Sequence, residues 1–382
     1  MVMETESESG PLAIDTTRFS PLHRIARYQS GNSFLLLRAY GIAAAILYVP
    51  LAIAALTGSD PASVTLPFFH DWNIAWTLLV SFPCLVAFTI TDQAALNTSL
   101  QRIQLDGILM IPPDVARELK RVWEHRFGVV NRFALVLGAV GGAAIAAFNY
   151  AAYSPPSIGF WLTSGSDVRS TALRYAFLYA MVVLYAFIAI YVCRNLAMTA
   201  FLRAVVGAGS QLRMLPFHPD KCGGLRPVGR LGLRNQYLLT VFGINLLLLA
   251  TISFLFLHVT PPLYRLIWAA AVAYIVLGPV VFIGPLLSFR AGMLRTKADL
   301  MSEVAQRLRV ELSRMRKELA AGELSKEDEE LIDRLRKFGA VVDELPVWPF
   351  DAGTLRKFVT AYAGPLIGAT TVGLIRYFLE HR

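Results

Sequence analysis

The sequence predicts an all-α protein. The expected architecture is a polytopic transmembrane helix bundle of about seven spans, N-terminus cytoplasmic, with extended cytoplasmic helices before the last span. Three observations carry this. Hydrophobic residues make up 55% of the 382 residues and charged residues 16%, against roughly 25% charged in an ordinary soluble domain. Six stretches stay apolar for the roughly 20 residues that a bilayer-crossing helix needs. Lysine and arginine collect in every second gap between those stretches, as they do in cytoplasmic loops. This composition excludes a disordered chain, a coiled coil and a normal cytosolic enzyme. Three cysteines, Cys84, Cys193 and Cys222, exclude a disulfide scaffold and any multi-cysteine metal cluster.

Residues 1–33 read as a cytoplasmic tail. Glu4, Glu6, Glu8 and Asp15 make its start acidic, where a cleaved signal peptide would be basic. The six clear spans fall near 34–56, 74–95, 133–153, 173–201, 237–257 and 263–288. They form a bundle over 34–288, with cytoplasmic loops at 97–132 and 202–236. A cytoplasmic helical region follows at 289–357, and 358–382 holds a seventh membrane segment and the C-terminus. Segment 358–378 is diluted by Gly364, Pro365, Gly368 and Gly373. A full span is expected there, with a re-entrant or interfacial helix as the alternatives. With the N-terminus inside, 29 of the 36 basic residues fall on the cytoplasmic side, which predicts N-in and C-out.

The first cytoplasmic loop carries Ile111-Pro112-Pro113-Asp114, a helix start with a cap available. Val115, Leu119, Val122 and Phe127 then follow at helical spacing. A short amphipathic helix on the membrane surface is expected, with Arg117, Lys120 and Arg121 toward headgroups; an ordinary connecting helix is the alternative. After the sixth span, Leu300, Val304, Leu308, Leu312, Met315 and Leu319 form a helical stripe. A second helix carries Leu331, Ile332, Leu335 and Phe338 on one face. Between Arg290 and Lys357 there are 14 basic and 13 acidic residues. That near balance fits a packing or oligomer-forming element and predicts no nucleic-acid partner.

The second cytoplasmic loop stands out. Its motif residues His218, Pro219, Asp220, Gly223 and Gly224 combine a stiff proline, two permissive glycines and a pair of polar side chains. The functional reading is a pH-, metal- or ligand-sensitive element; the bland one is a rigid turn whose Asp220 caps backbone donors. The run from His218 through Leu225 resembles a motif in a family of uncharacterised bacterial multi-pass membrane proteins of similar length. Trp348-Pro349-Phe350-Asp351 looks like the run before their last hydrophobic segment. The resemblance implies a multi-pass protein of the bacterial inner membrane, and no activity.

Ionisable residues inside spans default to functional candidates. Asp92 and Arg194 fall at similar depth near the inner ends of the second and fourth spans, so an inner gate or ion pair is one expectation and two separate interfacial charges the other. Asn149 and Asn245 suit interhelical hydrogen bonds. Gly138 and Gly142 permit close helix approach. Gly278-Pro279, Gly284-Pro285 and Gly364-Pro365 are candidate helix breaks or plain kinks; breaks of this kind line transport paths elsewhere. His70, Asp71 and His258 are a weak metal-site candidate; no metal and no cofactor is expected.

The leading functional expectation is an ion channel or small-solute transporter acting as a homo-oligomer. In topology only, the arrangement is similar to insect odorant-receptor channels. The alternatives are a signalling or scaffold protein whose cytoplasmic helices bind a protein partner, and a lipid enzyme built on His218, Asp220 and His125. No enzyme is expected.

Overall fold

The computed structural model describes residues 12–17, 20, 33–57, 64–162, 167–207, 210–215, 218–257, 261–321 and 326–380. The helices are α1 (Ser33–Leu56), α2 (Trp72–Leu105), α3 (Pro113–Tyr153), α4 (Val168–Gly207), α5 (Arg226–Leu255), α6 (Pro261–Ala321), α7 (Lys326–Asp343) and α8 (Ala352–Glu380). Helices α1 to α6 are long and apolar enough to cross a bilayer. They alternate in direction. One end of the bundle collects the α1–α2 and α3–α4 connections, the other the α2–α3 and α4–α5 connections. The core divides the same way, with one buried cluster around Leu47, Phe68 and Trp161 and a second around Phe127, Phe201 and Phe289.

Segment 97–132 does not form the expected separate surface helix. α3 runs unbroken for 41 residues, about 60 Å at 1.5 Å per residue and twice the hydrocarbon thickness. Nothing between Val115 and Phe133 stops a helix. The apolar side of its first turns packs inward: Ala116, Trp123 and Phe127 are buried in the second core, while Arg117 and Arg121 stay exposed. β1 (Leu109–Met110) before it pairs antiparallel with β2 (Gln211–Leu212) after α4, which ties the two loops together.

α6 continues for 61 residues. α7 folds back along it as an antiparallel hairpin: Gly339 faces Val304, and Lys297 pairs with Asp343 at 3.2 Å. The turn Trp348–Phe350 then docks on the bundle. Arg290 covers the Trp348 ring at 4.4 Å, and the Pro349 carbonyl lies where only the bare Cα of Gly229 leaves room. Asp351 accepts a hydrogen bond from the Thr354 backbone N–H at 2.8 Å and starts α8.

α6 passes through Pro279 and Pro285, and α8 through Pro365, without a break. Of the two expectations at these prolines, helix breaks or plain kinks, the break does not form, and at several of them a neighbouring side chain gives the physical reason. A proline strips the hydrogen bond from the carbonyl four residues back. For Pro279 that carbonyl is Ile275, and the Tyr362 hydroxyl donates to it at 2.8 Å. For Pro365 it is Ala361, which takes the Thr240 hydroxyl at 3.2 Å. For Pro83 in α2 it is Leu79, which takes Tyr40 at 2.9 Å. These three freed carbonyls are satisfied by other helices, as membrane interiors require. Tyr362→Phe and Thr240→Val should each cost about 1 kcal/mol, read as a lower melting temperature in nanodiscs. Equal melting of both variants and wild type would show that the carbonyls need no donor.

Candidate functional site

A cavity of about 330 Å³ lies inside the bundle, walled by α2, α3, α4, α5 and α6. Its wall in α2 is the segment where the helix loosens into a π turn, Thr77–Ser81. Such turns widen a helix locally and recur at functional sites. The Thr77 hydroxyl lies 2.7 Å from the Asn73 carbonyl and 2.7 Å from the Asn245 side chain. The Trp76 indole donates to the Val241 carbonyl at 3.1 Å, fixing α2 on α5.

At the α1–α2 end, Asp71 and Trp161 close the cavity. The Trp161 indole donates to Asp71 Oδ2 at 2.8 Å. Asp71 Oδ1 accepts from the backbone N–H groups of Asn73 and Ile74 at 3.0 and 3.1 Å, capping α2. Trp161 is fully buried among Phe68, Phe160 and Phe177. The Gly159 carbonyl accepts from both the Thr65 and Leu66 N–H groups at 2.9 Å, binding the two connections to each other.

At the other end the floor is a polar network. The Tyr191 hydroxyl donates to the Asn235 carboxamide at 3.0 Å, which in turn donates to Asn195 at 2.6 Å. Past it lies a layer of buried charge. Asp92 is ion-paired with Arg234, not with Arg194. The same Arg234 donates to the Phe88 carbonyl at 3.0 Å and to the Thr91 hydroxyl. Arg194, completely buried, donates to the Thr89 carbonyl at 2.8 Å, to Asn131 at 3.4 Å and to Ser20 at 3.2 Å.

The N-terminal segment 12–17 packs against this layer. Leu12, Ile14, Thr16 and Thr17 are buried. The Asn97 side chain exchanges two hydrogen bonds with the Ile14 backbone, each 3.1 Å, and Asn131 donates to the Thr16 carbonyl at 3.0 Å.

The His218 loop is a capping device. Asp220 Oδ1 accepts from the Cys222 and Gly224 N–H groups at 2.8 and 3.0 Å, and Oδ2 from Arg226, the first residue of α5, at 3.1 Å. His218 Nδ1 lies 2.7 Å from the same carboxylate. Lys221, Gly223 and Gly224 take positive φ values of 57°, 65° and 92°. A Cβ on Gly224 would meet Ile108 at 1.7 Å, so glycine is required there. Burial, with the carboxylates of Asp220 and Asp351 nearby, pushes the Cys222 thiol up to about 12, which makes it unreactive at neutral pH. For Asp220, burial raises the pKa, but the three backbone donors and His218 outweigh it and hold the carboxyl below its ordinary value.

A group whose folded pKa is depressed contributes stability above the unfolded pKa and loses it as pH falls through the folded one. Asp220→Asn should cost about 1–2 kcal/mol at neutral pH. The melting gap to wild type should hold constant down to about pH 5 and close below about pH 4. A gap that stayed constant at low pH would show that the charge contributes nothing.

Of the expected gate residues, Asn245 reaches the cavity, and Asp92 and Arg194 lie in the layer behind its floor. Gly278 and Gly284 are packing positions, against Tyr362 and Thr199 respectively, while Gly364 faces open space. Of the weak metal candidates, His258 lies outside the described residues and Asp71 is consumed by Trp161 and the α2 cap. Among the described residues no cluster of metal ligands forms. Thr77, Tyr153, Trp161, Asn195, Arg234 and Asn235 were not singled out by the sequence as members of a site. No family model, curated protein or solved structure matches the chain.

Proposed function

We propose that the protein is a membrane conduit, a small-solute transporter or ion channel. It works as a homo-oligomer in the bacterial inner membrane, with seven spans, a cytoplasmic N-terminus and α8 as the seventh crossing. The cavity carries the reading. It lies between five of the six helices long and apolar enough to cross a bilayer, with polar side chains turned inward, as substrate sites between transporter helices do. A Trp–Asp latch stands at one end, and an Asn–Tyr network with a charged layer stands at the other. Closure at two ends around one site is what alternating access needs.

The test is flux into proteoliposomes, with ions and with labelled neutral solutes. Solute or ion movement above that of empty liposomes is expected, and it should fall when Ala270→Phe fills the cavity. Absence of flux for every ion and solute, at any pH tried, would overturn the reading. A signalling or scaffold role is favoured instead by the α6–α7 hairpin, where Val310, Leu312 and Phe338 remain exposed. In that case a cytoplasmic protein should co-purify with the chain and be lost when residues 300–338 are deleted.

A further inference from the structure

The chemistry of the cavity wall narrows what it holds. Asp71 is the sole carboxylate or cationic side chain on that wall among the described residues. Both of its oxygens are already occupied, by Trp161 and by the α2 backbone. The arginines and Asp92 lie behind the Tyr191–Asn235 floor rather than on the wall. An anionic solute would therefore leave water for a wall whose one charged side chain is itself a carboxylate, and a cationic one would find only a carboxylate whose oxygens already accept three hydrogen bonds; both are costly.

Two features are left over. Asn73 Oδ1 and Asn149 Oδ1 are buried carboxamide oxygens without a hydrogen-bond partner, and both residues line the cavity. Buried acceptors are normally satisfied, and these two, one on α2 and one on α3, mark where donors belong, as does the Tyr153 hydroxyl, which also lines the cavity without a partner. Thr77, Asn235 and Asn245 also line the cavity but are hydrogen-bonded, and most of the remaining surface is aromatic and aliphatic, with Phe160, Trp161 and Phe177 grouped at one end. Such rings favour a flat partner in stacked or edge-on contact. The volume, about 330 Å³, matches the small end of ligand pockets, about 300–1,000 Å³.

We infer that the cavity is the binding site of an uncharged, ring-bearing molecule that donates a hydrogen bond from an O–H or N–H group to the Asn149 carboxamide oxygen, with the Asn73 oxygen open to a second donor where the molecule carries one. This rests on the reading of the bundle as a solute-handling one and adds the chemical class of the solute. Binding at this site needs no covalent step and no cofactor.

The experiment uses the full chain in nanodiscs and tritiated 2-naphthol, with binding to empty nanodiscs subtracted. Competitors are 2-methylnaphthalene, which keeps the ring but lacks the donor, and 2-naphthoate, which carries a charge. Saturable binding of 2-naphthol is expected, with each competitor weaker by about tenfold or more. Asn149→Leu should weaken 2-naphthol by about tenfold. Ala270→Phe, which fills the cavity, should remove binding. If that variant fails to fold by its elution profile, Asn149→Leu alone decides.

No saturable 2-naphthol binding would overturn the inference. So would equal binding of either competitor, or an Asn149→Leu variant that binds like wild type. Flux in proteoliposomes without 2-naphthol binding sinks the inference and spares the conduit reading. Binding without any flux does the reverse.

Discussion

Asp92→Leu should destabilise the protein by about 3–5 kcal/mol, read as a large fall in melting temperature in nanodiscs. Asp92 is 1% exposed and Arg234 21% exposed at the side chain, so the pair is screened little by water. Removing the carboxylate leaves the Arg234 guanidinium inside the bundle with the Phe88 carbonyl and the Thr91 hydroxyl as acceptors, and no counter-charge. A lone buried charge costs more than a missing pair. The double variant Asp92→Leu/Arg234→Leu should therefore melt closer to wild type than Asp92→Leu does. The same cycle run on Asp92 and Arg194 should show a smaller coupling, because Arg194 is held by neutral acceptors on α2 and α3 and by Ser20. Equal coupling in the two cycles would contradict this assignment of partners.

That choice of partner shows what a single sequence can and cannot disclose. Depth along each span is legible from apolar run length, and depth correctly placed Asp92 and Arg194 near one end. Azimuth around the helix axis is not legible, because the rotation of α4 and α5 is set by contacts with other helices. Arg234 is 142 residues from Asp92 in the chain and reads locally as one more basic residue at a loop edge. The cavity was hidden for the same reason: Thr77 and Asn245 meet across 168 residues, and an isolated threonine in an apolar run carries no signal.

Whether the prolines break their helices or only bend them is hidden from the sequence for a related cause. Their local effect, a freed carbonyl, is real at Ile275 and Ala361. The hydroxyls that absorb it sit on other helices, so the sequence leaves break and kink both open where the assembled bundle shows continuous helix. By contrast, the rigid-turn reading of the Asp220 loop needed only neighbours in sequence. All of its main hydrogen-bond partners lie within six residues, and that reading agrees with the hydrogen bonds found.

Gly138→Leu should separate α3 from α4 and cost about 3 kcal/mol or more, with solute binding lost alongside stability. A Cβ at Gly138 would come within 2.5 Å of the Ala186 Cα and 2.6 Å of the Tyr185 carbonyl; at Gly142 it would come within 2.8 Å of the Met181 carbonyl. These are backbone atoms of α4, so no side-chain rotation relieves the clash and the helix itself must retreat. Small residues four apart hold membrane helices by such contact, where no hydrophobic driving force separates protein from lipid.

The retreat reaches the cavity. Met181 and Tyr185 line it from α4, and Asn149 and Tyr153 line it from α3, the nearer of these about 10 Å along the helix from Gly142 at 1.5 Å per residue. Moving α3 outward shifts Asn149 away from Asn73 on α2 and opens the wall. Gly141 provides the control on the same helix: a Cβ there meets nothing within 4 Å. Gly141→Ala should leave melting and 2-naphthol binding as in wild type, whereas Gly138→Leu lowers both. If Gly138→Leu and Gly141→Ala behaved alike, close approach of α3 and α4 would not be what shapes the cavity.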